Sequence, residues 1–156
     1  MIENRKAGGL RRSPFHVLSE VEIEHLKNEI KAIEADESVF VFNIFAITGY
    51  SDDSDKISIC GSVFPSGDNS MHPRDLMSER AVLAHEYYGH RAYKNTDFKK
   101  GSWNDEFRAS YMAAKNTPNL SEEDKKYLIL DAIERAKEAG VSITYNSFMR
   151  RVIYGY

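Results

Sequence analysis

The sequence predicts an α+β domain, and two observations indicate that class. The two clear strand-like apolar segments lie within residues 39–64, in the first half of the chain. The helical patterns that follow do not alternate with strands, as they would in a doubly wound sheet. We therefore expect one small sheet followed by a group of helices.

The composition indicates a single soluble domain. A chain of 156 residues can bury a core of its own. No apolar run in it approaches the roughly 20 residues of a membrane-spanning helix. The single cysteine, Cys60, excludes a disulfide framework and suits a reducing compartment, so we expect a cytoplasmic protein. Residues 1–18 should form a flexible basic arm without a secretory signal, and residues 19–156 should form the domain.

One helix and two strands are expected at the start of the domain. Ser19 followed by Glu22 fits a capping box, and the apolar periodicity that follows predicts a helix over about residues 20–35. Residues 39–47 predict a buried strand, because this short apolar run is rich in β-branched and aromatic side chains. Residues 57–64 predict a second strand with one buried face, and the turn residues between the two strands favour a hairpin.

Further helices are expected after a loop at residues 65–73. Asp75 or Ser78 can cap a helix that runs into a histidine motif. Asn104 can cap a second helix, which should stop before Thr117-Pro118 because a proline disfavours helical backbone in the residue before it.

The last predicted helix opens at Ser121 with Asp124 and ends near Gly140, a glycine placed for a C-terminal cap. The tail over residues 141–156 mixes helix and strand signals, so its secondary structure stays open.

The histidine motif is His85-Glu86-Tyr87-Tyr88-Gly89-His90. Metallopeptidase helices commonly carry two histidines four residues apart, with a glutamate after the first as general base. Here the histidines are five residues apart, which in a regular helix would separate them by roughly 140°. Gly89 offers a solution, since a glycine there permits a π-bulge or a helix end that turns His90 back toward His85.

In that arrangement, His85 and His90 would bind Zn²⁺ as neutral imidazoles, and Glu86 would accept a proton from a metal-activated water. A third ligand is then required. We expect Glu106 in that role, with Asp105 as the second choice, because the helix that begins there can fold back against the motif helix.

Plainer interpretations of the same residues stay open. Glu86 and His90 can form a helical pair four residues apart, and Asp105 and Glu106 can simply complement the dipole at a helix start. His72, in the loop before the motif, is a weaker alternative for the third ligand.

At these residues the sequence resembles the zincin-like metallopeptidases. It is most similar to the group of phage-repressor antirepressor proteases and radiation-response regulators, which carry His-Glu-x-Gly-His. In that group the following helix supplies a glutamate ligand ahead of small apolar residues, a pattern similar to Glu106-Phe-Arg-Ala109 here. The chain is also similar to metallopeptidase-like segments of large phage polyvalent proteins, whose His-Glu-x-x-Gly-His spacing matches residues 85–90. The resemblance covers about residues 75–115.

The resemblance implies a zincin-like fold, in which a small, mostly antiparallel sheet packs on the motif helix. An edge strand of that sheet would pair with extended substrate. Residues 57–64 lie upstream at the place expected for the edge strand, and Gly61 would permit close approach of another backbone. The resemblance also implies zinc as the cofactor and a protein or peptide as the substrate.

The leading functional hypothesis is a zinc-dependent peptidase or a related metallohydrolase. Its base would be Glu86, and its metal ligands would be His85, His90 and Glu106. The alternative is a catalytically silent zincin-like interaction or structural module, from a phage-associated protein. The net charge of −3 disfavours a nucleic-acid partner. No membrane partner is expected, and the oligomeric state stays open.

Overall fold

The structure is a computed structural model that describes residues 11–66, 72–94 and 98–156, and it confirms the α+β class. A π-helical segment, His85–His90, continues helix α3 directly. Within the described ranges, no helix is long and apolar enough to cross a bilayer. In chain order, the helices and strands are α1 (Glu20–Ala32), β1 (Phe40–Phe42), β2 (Gly49–Ser51), β3 (Lys56–Ile59), α2 (Pro73–Leu76), α3 (Glu79–Ala84), α4 (Trp103–Asn116), α5 (Glu122–Glu138) and α6 (Ser147–Tyr154).

Several predicted helix starts are confirmed by their caps. Ser19 accepts a hydrogen bond from Glu22 N, and the Glu22 side chain closes the capping box onto the Ser19 backbone. Helix α1 ends at Ala32, three residues before the predicted end. Ser78 caps α3 and Ser121 caps α5 in the same way, each accepting from a backbone amide three residues later.

The start of α4 differs from the prediction. Ser102 caps this helix by accepting a hydrogen bond from Asp105 N, whereas Asn104 lies inside the first turn. The prediction of Asn104 as the cap is therefore wrong, because Ser102 has the extended backbone of a capping residue. At the C-terminus, the tail that the sequence left open forms α6, which packs on α5.

The sheet is mixed, with the strand order β1-β3-β2. β1 pairs with β3 in parallel, with Phe40 opposite Ile57, and β2 pairs with β3 antiparallel, with Tyr50 opposite Ile57. The expected hairpin between the two predicted strands is therefore wrong, and only one of the two pairings is antiparallel. The reason is that part of the predicted turn region forms a third strand, β2, which takes the antiparallel place beside β3.

The second half of the predicted buried strand, residues 43–47, leaves the sheet. Asn43 and Ala46 have φ values of 61° and 71°, in the left-handed region that a strand does not allow. Asn43 Oδ1 accepts a hydrogen bond from Leu18 N at 2.8 Å, and Ala46 N donates to Pro14 O at 3.2 Å. These bonds hold the segment against the N-terminal residues. The large apolar side chains that remain exposed are Ile44, Phe45 and Ile47.

β3 lies at the centre of the sheet, so the expectation of an edge strand over residues 57–64 is wrong. A Cβ at Gly61 would lie 2.3 Å from Ser13 O, which shows that the close backbone neighbour of this glycine is the chain's own N-terminal segment. Of the predicted arm, residues 1–10 lie outside the described ranges. From Arg11 on the chain contacts the body, and Arg11 and Leu18 are both buried.

The hydrophobic core lies between the sheet and the helices, and the motif helix begins inside it. Leu83 and Ala84, the two residues before His85, have no exposed surface. Burial of each large aliphatic side chain contributes about 1.5–3 kcal/mol to the stability of the fold. The residues that precede His85 are therefore fixed in the core. The largest of the fully buried apolar side chains are Leu26, Ile30, Ile33, Ile57, Ile59, Leu83, Leu128 and Ile129.

Gly89 is the point at which the π segment comes closest to α4. A Cβ at this position would lie 2.3 Å from Ala109 O and 2.7 Å from Ala109 Cα, distances that no side chain could tolerate. Only glycine therefore allows this contact. Because Glu106 precedes Ala109 by about one helical turn, the same contact brings Glu106 toward the two histidines.

Replacing Gly89 with alanine should destabilise the protein by about 1–3 kcal/mol or more, because the added Cβ would meet the backbone of Ala109. Denaturant unfolding followed by circular dichroism measures this change. Gly49→Ala is the matched control, since a Cβ there would make ordinary contacts at 3.9 and 4.0 Å. Its free energy of unfolding should stay within about 1 kcal/mol of the wild type. Equal destabilisation by the two substitutions would contradict the contact.

Candidate metal centre

The π segment turns His85 and His90 toward each other. In a π helix residue i bonds to residue i+5, so side chains five residues apart lie on one face. The two Nε2 atoms are 3.1 Å apart, and the rings meet edge to face with 4.7 Å between their centroids. The predicted departure from regular α geometry before His90 is confirmed.

Glu106 completes a cluster of three potential ligand atoms. Its Oε1 lies 3.0 Å from His85 Nε2 and 3.2 Å from His90 Nε2. Asp105 Oδ2 instead lies 3.8 Å from His90 Nδ1, the ring nitrogen that does not face the cluster. The structure thus brings His85, His90 and Glu106 together and places Asp105 behind His90.

The three ligand atoms fit a tetrahedral zinc site. Zinc binds imidazole nitrogen and carboxylate oxygen at about 2.0–2.2 Å, which places tetrahedral ligand atoms roughly 3.3–3.6 Å apart. The separations in this cluster, 3.0–3.2 Å, are only slightly shorter, so small side-chain movements would open it to that size. All three residues line one cavity, which provides room for a fourth, non-protein ligand.

A buried hydrogen-bond chain orients His85 from behind. His85 Nδ1 lies 2.8 Å from Ser110 Oγ, and the Ser110 hydroxyl donates to Asp131 Oδ2 at 2.6 Å. Because the single hydroxyl proton points to Asp131, Ser110 must accept a hydrogen bond from Nδ1–H of His85. Nδ1 of His85 is thereby committed to Ser110, and Nε2, which bonds to Glu106, is the nitrogen that could bind a metal once it has lost its proton.

Two arginines balance the charge of Asp131, which has no exposed surface. Arg135 Nε lies 3.2 Å and Arg74 Nε lies 3.5 Å from Asp131 Oδ1. Burial acts to raise the pKa of Asp131, but Arg135 and its other neighbours hold the pKa below its ordinary value. Asp131 is therefore an ionised acceptor for the Ser110 hydroxyl. Arg135 also reaches the cluster itself, with Nη1 3.6 Å from Glu106 Oε1.

Hydrogen bonds join Glu106 to both imidazoles, and opposite charges strengthen its contact with His90. Burial acts to raise the pKa of Glu106, but its hydrogen bonds to His85 and His90 bring the pKa far below its ordinary value. Burial likewise acts to lower the pKa of His90, but the hydrogen bond to Glu106 and the charges of Glu86, Glu106 and Asp105 raise it to about 9. Charge attraction therefore supports the same cluster that the packing brings together.

Glu86 faces the same cavity but does not join the ligand cluster. Its Oε1 accepts a hydrogen bond from Tyr50 N, in the edge strand β2, at 3.1 Å. The cavity has a volume of about 470 Å³ and is lined by Glu86, the three potential ligands, and Gly49 and Tyr50 of β2. Glu86 therefore lines the cavity without belonging to the ligand cluster, and its role as the base stays a prediction.

A second group of ligand-type residues, His72, Glu134 and Glu138, has its ligand atoms within 4.8 Å of one another. His72 Nδ1 accepts a hydrogen bond from Arg74 N at 3.2 Å, and His72 Nε2 faces Glu138 Oε2 at 3.1 Å. In the neutral ring the proton is therefore on Nε2, the reverse of the arrangement in His85. His72 is therefore the N-cap of α2, and it does not belong to the cluster of His85, His90 and Glu106.

The sequence reasoning missed three residues of the site: Ser110, Asp131 and Arg135. Ser110 lies four residues after Glu106 on α4, so a search of the ligand-bearing helix face would have found it. Asp131 and Arg135 are also four residues apart, and Asp131 takes a fully buried position on α5. A charged residue in a helix position that the core requires is a signal for a buried polar network.

Ser110→Ala should lower the zinc affinity about 10- to 100-fold, the range for loss of a hydrogen bond that orients a metal ligand. Competition with a chromophoric chelator measures the affinity. In the metal-free protein, at a pH at which the His85 ring is neutral, long-range proton–nitrogen correlation spectra should show His85 losing its preference for the Nδ1–H tautomer, a change that a purely structural role for Ser110 would not produce.

Ser62→Ala is the matched control for this experiment. Ser62 lines the same cavity, and its hydroxyl contacts Thr48 and Cys60. The control should keep both the zinc affinity and the His85 tautomer. Equal zinc affinities in the Ser110 and Ser62 variants would show that the buried chain does not orient the ligand.

Comparisons of this chain with family models, with curated proteins and with solved structures found no match. The zincin-like resemblance of residues 75–115 therefore depends on the motif alone.

Proposed function

We propose that this chain is a zinc-dependent peptidase or a closely related metallohydrolase. The observation that carries the proposal is the convergence of His85 Nε2, His90 Nε2 and Glu106 Oε1 to separations of 3.0–3.2 Å. Two imidazoles and one glutamate are a ligand set used by catalytic zinc sites in peptidases. The convergence of the two histidines needs the π segment, whereas a helix that only packs against its neighbours does not.

A zinc ion held by these residues would polarise a substrate carbonyl and lower the pKa of a water molecule toward neutrality. The chain itself supplies the proton transfer and the positioning. Glu86 would accept a proton from the attacking water and pass it to the leaving amine. The hydrogen bond from Tyr50 N fixes the Glu86 carboxylate in the cavity.

The proposed substrate is a protein or peptide in extended conformation. β2 is an edge strand of the sheet, and it lines the cavity. The edge strand at the site is therefore β2 and not the predicted strand of residues 57–64. We place the activity in the cytoplasm, since the single cysteine, Cys60, is a buried free thiol.

A catalytically silent metal-binding module is the second candidate. It is favoured by the hydrogen bond between Tyr50 N and Glu86 Oε1, because this bond already occupies one of the two carboxylate oxygens that a base would use. In such a module the same three ligands would hold a metal for structural reasons, and the cavity would bind a partner without cleaving it.

Purified protein saturated with zinc should hold about one zinc ion per chain, coordinated by nitrogen and oxygen only. Cys60 cannot contribute from its position, because it is buried among the hydroxyls of Thr48 and Ser62. Elemental analysis gives the stoichiometry, and X-ray absorption gives the ligand type. Sulfur in the coordination shell, or no zinc after saturation, would remove the site.

Glu86→Gln should retain most of the zinc affinity, whereas Glu106→Gln should weaken zinc retention, because only Glu106 belongs to the ligand cluster. Dialysis against a weak chelator followed by metal analysis distinguishes the two variants. Glu138→Gln is the matched control and should retain zinc, since Glu138 belongs to the group around His72. Loss of zinc in Glu86→Gln with retention in Glu106→Gln would mean that base and ligand have been exchanged.

Against a peptide substrate, Glu86→Gln should lower turnover by about two to four orders of magnitude, the contribution of a positioned general base. The substrate can be sought with a library of quenched fluorescent peptides. A wild-type chain that holds zinc in the predicted coordination but cleaves no peptide would favour the silent module.

A further inference from the structure

Beside the metal cluster, the chain exposes a group of large apolar side chains. We call Phe15, Ile44, Phe45 and Ile47 the apolar rim; their exposed fractions are 66%, 39%, 46% and 48%. A backbone hydrogen bond from Ala46 N to Pro14 O joins the two segments that carry these residues. Apolar groups clustered at a surface in this way mark sites of interaction more often than single exposed residues do.

The segment that carries Ile44, Phe45 and Ile47 has an uncommon backbone conformation. Asn43 and Ala46 both lie in the left-handed region, at φ 61° and 71°, a conformation that costs a non-glycine residue about 1–2 kcal/mol. The Asn43 side chain offsets part of this cost through hydrogen bonds to the backbone of Leu18 in both directions. Strained residues that are held in place by their surroundings concentrate at binding and catalytic sites. The two left-handed residues flank Ile44 and Phe45, which are exposed.

The apolar rim is also continuous with the candidate metal cavity. Ala46 and Ile47 line that cavity together with Glu86. Ile47 Cγ1 and Glu86 Oε1 lie 3.9 and 4.0 Å from the position that a Cβ at Gly49 would occupy. The end of the apolar rim is therefore separated from the candidate base by a single glycine, and a molecule bound on the rim can reach the cavity.

We propose that the apolar rim binds a large apolar side chain of an extended polypeptide substrate, next to the bond that the site cleaves. The proposal rests on the peptidase function for the cleavage and adds the class of substrate. A polypeptide suits this surface because three features line one cavity: the apolar side chain of Ile47, the edge strand β2, and the polar cluster of His85, His90 and Glu106.

The test is a binding selection that does not depend on turnover. Random 12-residue peptides displayed on phage would be selected on the zinc-saturated Glu86→Gln chain, in which bound peptides stay intact. Selected sequences should be enriched in leucine, isoleucine, phenylalanine or methionine at one fixed position. The best synthetic peptide should bind about tenfold more weakly to chains that also carry Phe45→Ser or Ile47→Ser, the loss expected for one apolar contact.

Val21→Ser is the matched control, because Val21 is 79% exposed on α1 and lies outside the apolar rim. It should leave the peptide affinity unchanged. Circular dichroism of all three variants should match the parent protein, since none of the replaced side chains is buried. A selection without apolar enrichment, or equal peptide affinities in the rim and control variants, would overturn the proposal.

Other occupants of the apolar rim give different results. Sedimentation equilibrium tests for a second copy of the chain, and flotation with phosphatidylcholine vesicles tests for a lipid surface. A dimer or a vesicle complex that both rim variants abolish would overturn the assignment to a substrate. If the peptides bind with the expected dependence on the rim but the wild-type chain cleaves none of them, the peptidase function fails and the binding surface stands.

Discussion

The geometry of the candidate site depends on one local constraint, the i→i+5 bonding of His85–His90. Two imidazoles five residues apart can meet only if the helix widens at that point. Such a turn is rare in proteins, so contacts from outside the segment must stabilise it. Gly89 packs against Ala109, and Glu106 bonds to both imidazoles. Both contacts come from α4, so this second helix is as much a part of the motif as the histidines are.

The polar chain behind His85 links the orientation of one side chain to the packing of three helices. A fully buried carboxylate such as Asp131 is strongly unfavourable unless it is paired and hydrogen-bonded. Its partners are Arg74 on α2, Ser110 on α4 and Arg135 on α5. Each helix must therefore take its observed place for the charge to be satisfied, and in that place Ser110 accepts the hydrogen bond from Nδ1 of His85.

Features set by neighbouring residues could be predicted from the sequence, and features set by distant contacts could not. The caps at Ser19 and Ser78 depend on residues within one helical turn, and the distortion before His90 could be predicted from the five-residue histidine spacing with Gly89 before the second histidine. The end of β1 depends instead on hydrogen bonds that join residues 43–47 to the N-terminal segment, which apolar periodicity does not reveal. The sequence favours Glu106 over Asp105, and the packing of α4 turns Glu106 Oε1 toward both imidazoles.

Two departures from local preference border the same cavity. A helix with regular bonding would separate the two histidines, and a strand continued beyond Phe42 would point successive side chains to opposite faces of the sheet. Natural sequences are otherwise locally consistent with their folds, and their exceptions concentrate at functional sites. One exception places the candidate ligands His85 and His90 on the wall of the cavity, and the other places Ile47 there. Because the two segments are distant in sequence and strained for different reasons, the simplest physical account is that both conformations serve the cavity they share.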